Sequence, residues 1–387
     1  MNAQITFLDE TLRLIHIPLS LYSSFLQPIL NVLLPKSQGA SGSAQQPELE
    51  SSTLGNQHGF LNISVTPIEC SIVCHSAWAK SVFEPAIRKL PKELSKTVSI
   101  SKDSYAVVSV ISAGMDAGSR VVDLTSPLAL AGIPIFFITT YYSDFILVPT
   151  KDRQSVVQAL LARGFVFSED ESSFKPAISP AHSRGTSHSS EPPSTPPPSS
   201  VGELQTRTFA LLKKRNVVPY IDPDLQLIHC SGREKSSFRG YSDRPSMART
   251  QTNGNRRSWF DTLDTKLYIS IVSALASQPR FLSITLAEDD PPSLLLDKSL
   301  LGVFGDSLVG PTEGTLVPIF LDLDNLPFEA TGIVSGVAGK LVQEMRMMES
   351  AELSYLSTAR AGAVILSAEQ SVKALAILTP LLTKEEQ

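Results

Sequence analysis

The sequence contains few of the residues that several classes of protein require. Of 387 residues, only three are cysteine (Cys70, Cys74 and Cys230), and 18% are charged. Three cysteines cannot build a disulfide framework, which favours a reducing compartment. The 33 Lys and Arg residues are outnumbered by 38 Asp and Glu, so the chain lacks the basic excess with which nucleic-acid-binding proteins neutralise phosphates. We therefore expect a cytoplasmic protein that does not bind nucleic acid.

Long apolar runs are also missing. The apolar N-terminal stretch, residues 5–34, is interrupted by Asp9, Glu10, Arg13 and Pro18, whereas a membrane-spanning helix needs about 20 nearly continuous apolar residues. A secretory signal begins with a basic region, and the first charges here are acidic. We expect neither a membrane segment nor a signal peptide.

Signature motifs of nucleotide and metal chemistry are absent as well. The sequence has no Gly-x-x-x-x-Gly-Lys-Ser/Thr loop and no Gly-x-Gly-x-x-Gly loop. Cys70, Cys74 and His75 resemble half of a zinc site, but no second ligand pair follows, and their alternation suits a half-buried strand. We predict no cofactor, no metal and no catalytic group, so the protein is not expected to be an enzyme.

Three segments have the composition of linkers or loop insertions. Residues 36–58 are rich in Ser, Gly and Gln, residues 168–203 in Pro and Ser, and residues 231–257 in Ser and Arg. Such segments cannot bury enough apolar surface to offset chain entropy, so we predict disorder there. A regulatory role is the alternative, because phosphate on the Ser-Pro or Thr-Pro dipeptides at 179–180 and 195–196 could pair with nearby arginines.

The remaining sequence has the pattern of a small α+β fold. Apolar runs at 105–111, 133–140 and 145–148 predict strands, and helical spacing over 119–131 and 152–163 predicts helices that stop at Gly132 and Gly164. With a closing strand at 165–167, the order is βαββαβ, the ferredoxin-like unit.

The second half of the chain repeats this order. When Ile133 is aligned with Ala351, Thr140 meets Thr358 and the strand 146–148 meets 364–366. With a gap of two residues the following helices also coincide. Weaker versions of the pattern lead each half, so an internal duplication predicts four ferredoxin-like units in two tandem pairs. We place them at 1–95 (with the insertion 36–58), 100–167, 204–300 (with the insertion 231–257) and 310–382, the middle two being separated by the linker 168–203. We call them units 1 to 4.

Residues 138–148, Ile-Thr-Thr-Tyr-Tyr-Ser-Asp-Phe-Ile-Leu-Val, resemble a strand-turn-strand of the CASTOR proteins, cytosolic amino-acid sensors upstream of the TOR kinase complex. A looser version occurs in the regulatory ACT domains of aspartate kinases. Residues 326–334 resemble the loop that opens the first helix of the last ACT domain in the same family. The resemblance implies four ACT units, with units 2 and 4 packed together across a pseudo-twofold axis.

The resemblance also implies an amino-acid site between units 2 and 4. A loop entering a helix presents free N–H groups and a positive dipole end, which suit an α-carboxylate. The expected ligand-binding residues are Thr331, Gly332, Ile333 and Val334 in that loop, Glu329 or Asp116 for the α-amino group, Gly114 in the symmetry-related loop, and Pro134 and Ile135 in the opposing wall. The alternative is that these glycine-containing loops only turn the chain from strand to helix.

Two positions argue against arginine as the ligand. The resemblance aligns Pro134 and Gly362 with the serine and the aspartate that contact arginine in arginine-binding members. Without that carboxylate a buried guanidinium would lack its partner. An apolar or small polar amino acid is the expected ligand.

Tyr141, Tyr142 and Asp144 align with the surface through which the family meets its protein partner, the GATOR assembly. Adjacent tyrosines in a turn also suit an interaction site. The alternative is that Tyr141 covers the local core and Asp144 caps the turn. A homodimer is a further expected assembly, because ACT domains associate through sheet edges and helices.

These observations predict a non-catalytic ACT-repeat regulatory protein that senses a small amino acid between units 2 and 4 and signals through a protein partner. Two alternatives remain open at this stage. One is an interaction scaffold that binds no ligand, and the other is a regulatory subunit of an amino-acid biosynthetic enzyme.

Overall fold

The computed structural model of the chain combines one sheet with helices packed against its outer face. It describes residues 3–33, 59–111, 119–167, 198–233, 264–287, 290–327, 330–345 and 352–383. Most residues of the insertions predicted at 36–58 and 231–257 and of the linker predicted at 168–203 therefore lie outside the described residues.

The strands are β1 Gln4–Pro18, β2 Phe60–Val65, β3 Glu69–His75, β4 Ser99–Ile100, β5 Tyr105–Ile111, β6 Phe136–Thr139, β7 Asp144–Pro149, β8 Val166–Phe167, β9 Pro219–Ile221, β10 Leu227–Gly232, β11 Leu282–Ala287, β12 Ser293–Asp297, β13 Leu308–Val309, β14 Leu316–Asp322, β15 Ser354–Ser357 and β16 Ala361–Ser367. The helices are α1 Tyr22–Leu33, α2 Ser76–Trp78, α3 Glu84–Arg88, α4 Lys92–Ser95, α5 Arg120–Leu130, α6 Arg153–Leu161, α7 Val201–Lys214, α8 Thr265–Ala276, α9 Leu301–Phe304, α10 Ile333–Met345 and α11 Ala368–Leu382. A π-helical turn, Ala79–Phe83, joins α2 to α3.

The sheet closes on itself. Its order runs β10-β12-β11-β2-β3-β1-β5-β7-β6-β15-β16-β14, and β14 pairs back with β10 through Leu227 and Leu316. The junction of β2 with β11 extends from Val65–Leu282 to Phe60–Ala287, whereas β6 meets β15 at the single pair Ile138–Leu356. The two halves of the chain are therefore joined at two places in one hydrogen-bonded ring.

Each ring strand buries both of its faces. In β7, Phe145 and Leu147 point into an inner core to which all twelve ring strands contribute, while Ile146 and Val148 pack under helices on the outer face. A second outer core lies under α1 and α8. Burial on both faces explains why strands such as β7 and β16 are continuous apolar runs. In β2 and β11 the buried polar side chains pair with each other across the junction: Asn62 with Thr285 and Ser64 with Ser283.

Element order agrees with the sequence prediction most fully between 100 and 167. Here β5, α5, β6, β7, α6 and β8 follow the predicted βαββαβ order. Residues 294–296, an apolar run whose sequence suits a helix or a strand, belong to β12 because they pair with β10 and β11. In 310–382 the described order is β14, α10, β15, β16 and α11, without a sixth strand. Four ACT units and their boundaries stay a prediction.

The helix α7 corrects the predicted linker 168–203, since it begins at Val201. Ser200 caps the helix: its hydroxyl accepts the Glu203 N–H at 3.3 Å, and the Glu203 carboxylate accepts the N–H and O–H of Ser199. The spacing of Ser200 and Glu203 is that of a capping box, which indicates the start of a helix. The prediction followed the Pro-rich composition of the segment instead of this signal. None of the helices in the described ranges is long and apolar enough to cross a membrane.

Candidate functional site

A cavity of about 60 Å³ lies where units 2 and 4 meet. Its walls come from α5, the chain before β6, the loop after β14, the start of α10, and the hairpin of β15 and β16. The lining residues are Thr125, Ala129, Ile135, Phe136, Leu323, Leu326, Pro327, Ala330, Gly332, Ile333, Val334, Ser335, Tyr355, Ser357, Thr358, Ala359 and Ala361. No charged residue is among them.

The start of α10 forms the first wall. Gly332 has a φ of +79°, which allows the chain to turn sharply into the helix. Its carbonyl accepts the Thr208 hydroxyl of α7 at 3.1 Å and the Gly336 N–H at 2.7 Å. A Cβ at position 332 would lie 2.5 Å from Leu204, so α7 packs directly behind this turn. The first N–H groups of α10 have no acceptor within the helix and give this wall a positive potential.

The turn between β15 and β16 forms the opposite wall and is anchored on unit 1. The Thr358 hydroxyl donates to Glu69 of β3 at 2.6 Å, and the Arg360 N–H donates to the same carboxylate oxygen. The second oxygen of Glu69, which is fully buried, contacts Nδ1 of His16 at 2.5 Å. Glu69 of unit 1 thus holds one wall of a cavity that is lined by residues of units 2 and 4.

The turn between β6 and β7 has the same internal hydrogen bonds. The Thr140 N–H donates to the Ser143 carbonyl at 2.9 Å, as the Thr358 N–H does to Ala361 at 2.9 Å. The Tyr141 N–H donates to the Ser293 hydroxyl of β12 at 2.9 Å. The β6–β7 turn of unit 2 therefore contacts unit 3, and the β15–β16 turn of unit 4 contacts unit 1 in the corresponding way.

These contacts separate the three residues predicted to bind a partner. Tyr142 is 47% exposed, whereas Tyr141 is partly buried and its ring packs edge-on against His229. Asp144 is fully buried, which corrects the expectation that its side chain belongs to an exposed patch. A contact between Tyr142 and a partner stays a prediction.

Asp144 lies in a buried charged cluster instead. Its carboxylate is 2.8 Å from Nε of Arg120, an ion pair whose N–H is not aligned as a hydrogen bond, and Arg120 also meets Glu352 at 3.3 Å. Burial raises the pKa of Asp144 to about 6, against the opposing effect of the Arg120 guanidinium. Burial, with a further contribution from Arg120, lowers the pKa of His229 to about 4. The position aligned with Asp144 in the second half is the uncharged Gly362.

The cavity brings together part of the predicted ligand site. Ile135, Gly332, Ile333 and Val334 line it. Pro134 and Thr331 are the chain neighbours of lining residues. Gly362 is not a lining residue, and a Cβ there would be 2.5 Å from the hydroxyl of the lining residue Tyr355. The remaining three predicted residues, Gly114, Asp116 and Glu329, lie outside the described residues.

Several lining residues were not predicted. Tyr355 and the turn Ser357–Ala361 appear in the sequence as ordinary strand and turn residues, and only the pairing of β15 with β6 places them beside Ile135. Thr125 and Ala129 occupy the buried face of α5, for which the sequence pattern predicts core packing. The described residues include no group of three His, Cys, Asp or Glu side chains that could hold a metal ion.

Comparisons with known proteins give one family match. Residues 100–162 match the model of the ACT domain, and no curated protein matches the chain. Among solved structures, the chain is similar to an aspartate kinase from Synechocystis (11% identity, 99% of this chain and 57% of that chain, TM-score 0.31). It is also similar to the ligand-free regulatory subunit of aspartate kinase from Thermus thermophilus (12% identity, 40% and 93%, TM-score 0.25) and to a protein from Agrobacterium tumefaciens (16% identity, 43% and 93%, TM-score 0.27).

These TM-scores are too low for the structural likenesses to carry an argument. The family match covers the segment in which β5, α5, β6, β7 and α6 were predicted and found. The chain therefore contains an ACT domain at residues 100–162.

Proposed function

We propose that this chain is a non-catalytic regulatory protein that binds a small amino acid in the cavity between units 2 and 4. Binding would signal to a protein partner, in the manner of the CASTOR sensors upstream of TOR. The observation that carries the proposal is the cavity itself, which adjoins the start of α10 and four of the predicted ligand residues. The ACT domain at 100–162 supports a regulatory, amino-acid-linked role.

Two parts of the cavity suit two parts of the ligand. The N–H groups at the start of α10 suit an α-carboxylate, and the uncharged remainder of the cavity suits a neutral side chain. A volume of about 60 Å³ holds roughly four water molecules, which limits the side chain of the ligand to a few non-hydrogen atoms. A cationic side chain would find no carboxylate among the described lining residues, so arginine is disfavoured.

Signalling would follow from the position of the cavity. A ligand that contacts α10, the β15–β16 turn and the chain before β6 stabilises the arrangement in which units 2 and 4 are in contact. Through Glu69 and Thr358 that stabilisation extends to unit 1. A GATOR-like complex that binds the chain more tightly in one arrangement of units 2 and 4 than in another would then bind it differently with and without the amino acid.

The first prediction concerns ligand binding by the purified full chain. At tenfold excess over Kd, a bound amino acid should stabilise the native state by about 1.4 kcal/mol and raise the melting temperature by a few degrees. Screening all twenty amino acids by thermal shift tests this. Replacing the half-buried cavity residue Ala330 with leucine should abolish the shift, whereas leucine at the exposed Ala162 should leave it intact.

The opposite result is equally informative. If no amino acid at millimolar concentration shifts the melting temperature, the chain is not a sensor, and the ligand-free scaffold becomes the better description. A stable biosynthetic enzyme recovered with the chain would favour the regulatory-subunit alternative.

The second prediction concerns the partner. Tyr142→Ala should weaken retention of a GATOR-like complex about tenfold, because an exposed tyrosine is a typical anchor of a protein interface. Val372→Ala, which changes a 67% exposed apolar residue on α11, should have no effect. Quantitative affinity capture of the two variants measures the difference, and equal retention would remove Tyr142 from the interface.

A further inference from the structure

Tyr355 carries a buried hydroxyl without a hydrogen-bond partner. Its side chain lines the cavity and is 1% exposed, and no described group lies within hydrogen-bonding geometry of its oxygen. Burial raises the pKa of this phenol above its ordinary value, so the hydroxyl keeps its proton. An unpaired buried hydroxyl costs about 1–3 kcal/mol, and folded proteins retain few such groups without a use for them.

The space for this hydroxyl depends on Gly362. Tyr355 and Gly362 are diagonal neighbours on the same face of β15 and β16, since Tyr355 pairs with Val364 and Ser357 pairs with Gly362. A Cβ at position 362 would lie 2.5 Å from the Tyr355 oxygen. The absence of a side chain at 362 therefore leaves room for the hydroxyl of this cavity-lining residue.

The other side-chain hydroxyls of the cavity already have partners. Ser357 accepts the N–H of Phe137 at 3.0 Å, Thr125 donates to the carbonyl of Val121 at 2.7 Å, Ser335 pairs with Ser126 at 2.9 Å, and Thr358 donates to Glu69 at 2.6 Å. Among the described lining residues, the Tyr355 hydroxyl is thus the buried side-chain group that has no hydrogen-bond partner and gains most from a ligand. Main-chain N–H groups at the start of α10 remain for a carboxylate.

We propose that Tyr355 selects a small amino acid whose side chain carries a hydroxyl, such as serine or threonine. The Tyr355 hydroxyl and the ligand hydroxyl form a hydrogen bond, while the α-carboxylate lies at the start of α10. The inference rests on the proposed function and adds the chemical class of the ligand. A site built to pair with a hydroxyl rejects the isosteric apolar ligand, because the tyrosine would again be left unpaired.

The experiment compares threonine with its isostere valine, and serine with alanine, which lacks only the hydroxyl, by calorimetric titration of the full chain. The natural chain should bind each hydroxyl amino acid about tenfold more tightly than its apolar counterpart. Tyr355→Phe should remove this preference and leave valine and alanine binding unchanged. Gly362→Ala, which displaces the hydroxyl, should have the same effect. Tyr220→Phe, which removes the hydroxyl of a 36% exposed tyrosine on β9 that does not line the cavity, is the matched control and should change nothing.

The possible failures can be told apart. If valine binds as tightly as threonine, or if Tyr355→Phe weakens both equally, the selective role of Tyr355 is wrong while the sensor proposal survives. If no amino acid binds, the proposed function itself fails. Tyr355→Phe should also melt no earlier than the natural chain in the absence of ligand, because it removes only an unpaired group. Early melting would show that the hydroxyl has a partner within the protein and would overturn the inference.

Discussion

Glu69→Ala should lower the free energy of unfolding by about 3–5 kcal/mol, the range expected when one partner of a buried charged network is removed. The carboxylate of Glu69 is fully buried and accepts hydrogen bonds from the Thr358 hydroxyl and the Arg360 N–H. Alanine leaves both donors without this acceptor and His16 without its partner. Urea denaturation followed by circular dichroism measures the loss.

Two companion variants make this result interpretable. Glu69→Gln retains an oxygen that can accept from Thr358 and Arg360, so it should recover most of the stability. Glu93→Ala removes an exposed carboxylate that pairs only with Lys96, and it should cost less than about 0.5 kcal/mol. If Glu69→Ala unfolds within 1 kcal/mol of the natural chain, the β15–β16 turn does not depend on this contact.

Hydrogen exchange locates the same effect within the chain. In the natural protein the Ala359 N–H donates to the Ser71 hydroxyl at 3.1 Å, and the Arg360 N–H donates to Glu69. If these two amides exchange faster in Glu69→Ala and the amides of β7 do not, the loss of stability is local to the β15–β16 turn, which forms a wall of the cavity. Uniform acceleration would instead indicate global destabilisation.

Relative to the natural chain, Asp144→Asn should gain stability as the pH rises from 4 to 6, whereas His229→Gln should lose stability over the same rise. The pKa of Asp144 is raised from 3.8 to about 6 by burial. Its favourable contribution is therefore full below about pH 4 and is lost as the pH rises to about 6, because the folded state binds the proton more tightly. Two pKa units correspond to about 3 kcal/mol.

His229 acts in the other direction over nearly the same range. Burial lowers its pKa from 6.5 to about 4, so its favourable contribution is full above pH 6.5 and is lost as the pH falls to about 4. Relative to the natural chain, Asp144→Asn should gain stability by about 3 kcal/mol between pH 4 and 6. His229→Gln should lose a similar amount over that rise.

Urea midpoints collected from pH 4 to 6.5 test both variants, with Asp103→Asn as a control because that carboxylate is 45% exposed. The control should follow the natural chain at every pH. Parallel profiles for Asp144→Asn and the natural chain would contradict the assignment of a buried, readily protonated carboxyl beside Arg120.

Residues 105–167 show how much of the fold the sequence can predict. Their strands are short apolar runs and their helices have apolar residues at helical spacing. Gly132 and Gly164, which end the two helices, have positive φ values, so local pattern and structure agree. Residues 201–203 show where the prediction fails, because the predicted linker 168–203 includes them and they begin α7. Their helix lies directly after a Pro- and Ser-rich segment, and its Ser200–Glu203 cap is a short signal within that composition.

The candidate site was predicted in part for a similar reason. Gly332 and its neighbours could be identified, because a glycine before a helix is a local feature. The anchoring of Thr358 on Glu69 could not, because 289 residues separate the two in sequence. The unpaired hydroxyl of Tyr355 could not be predicted from the sequence either. It depends on the position of Gly362 beside it, and that position is known only from the folded structure.

The closed ring of strands has a consequence for how the protein behaves on dilution. Units 1 and 3 meet at β2 and β11, and units 2 and 4 meet at β6 and β15, with both junctions formed within a single chain. Since the two halves are tethered, their encounter is intramolecular and its strength does not vary with protein concentration. A cell could therefore keep this protein scarce without separating the two surfaces that enclose the cavity.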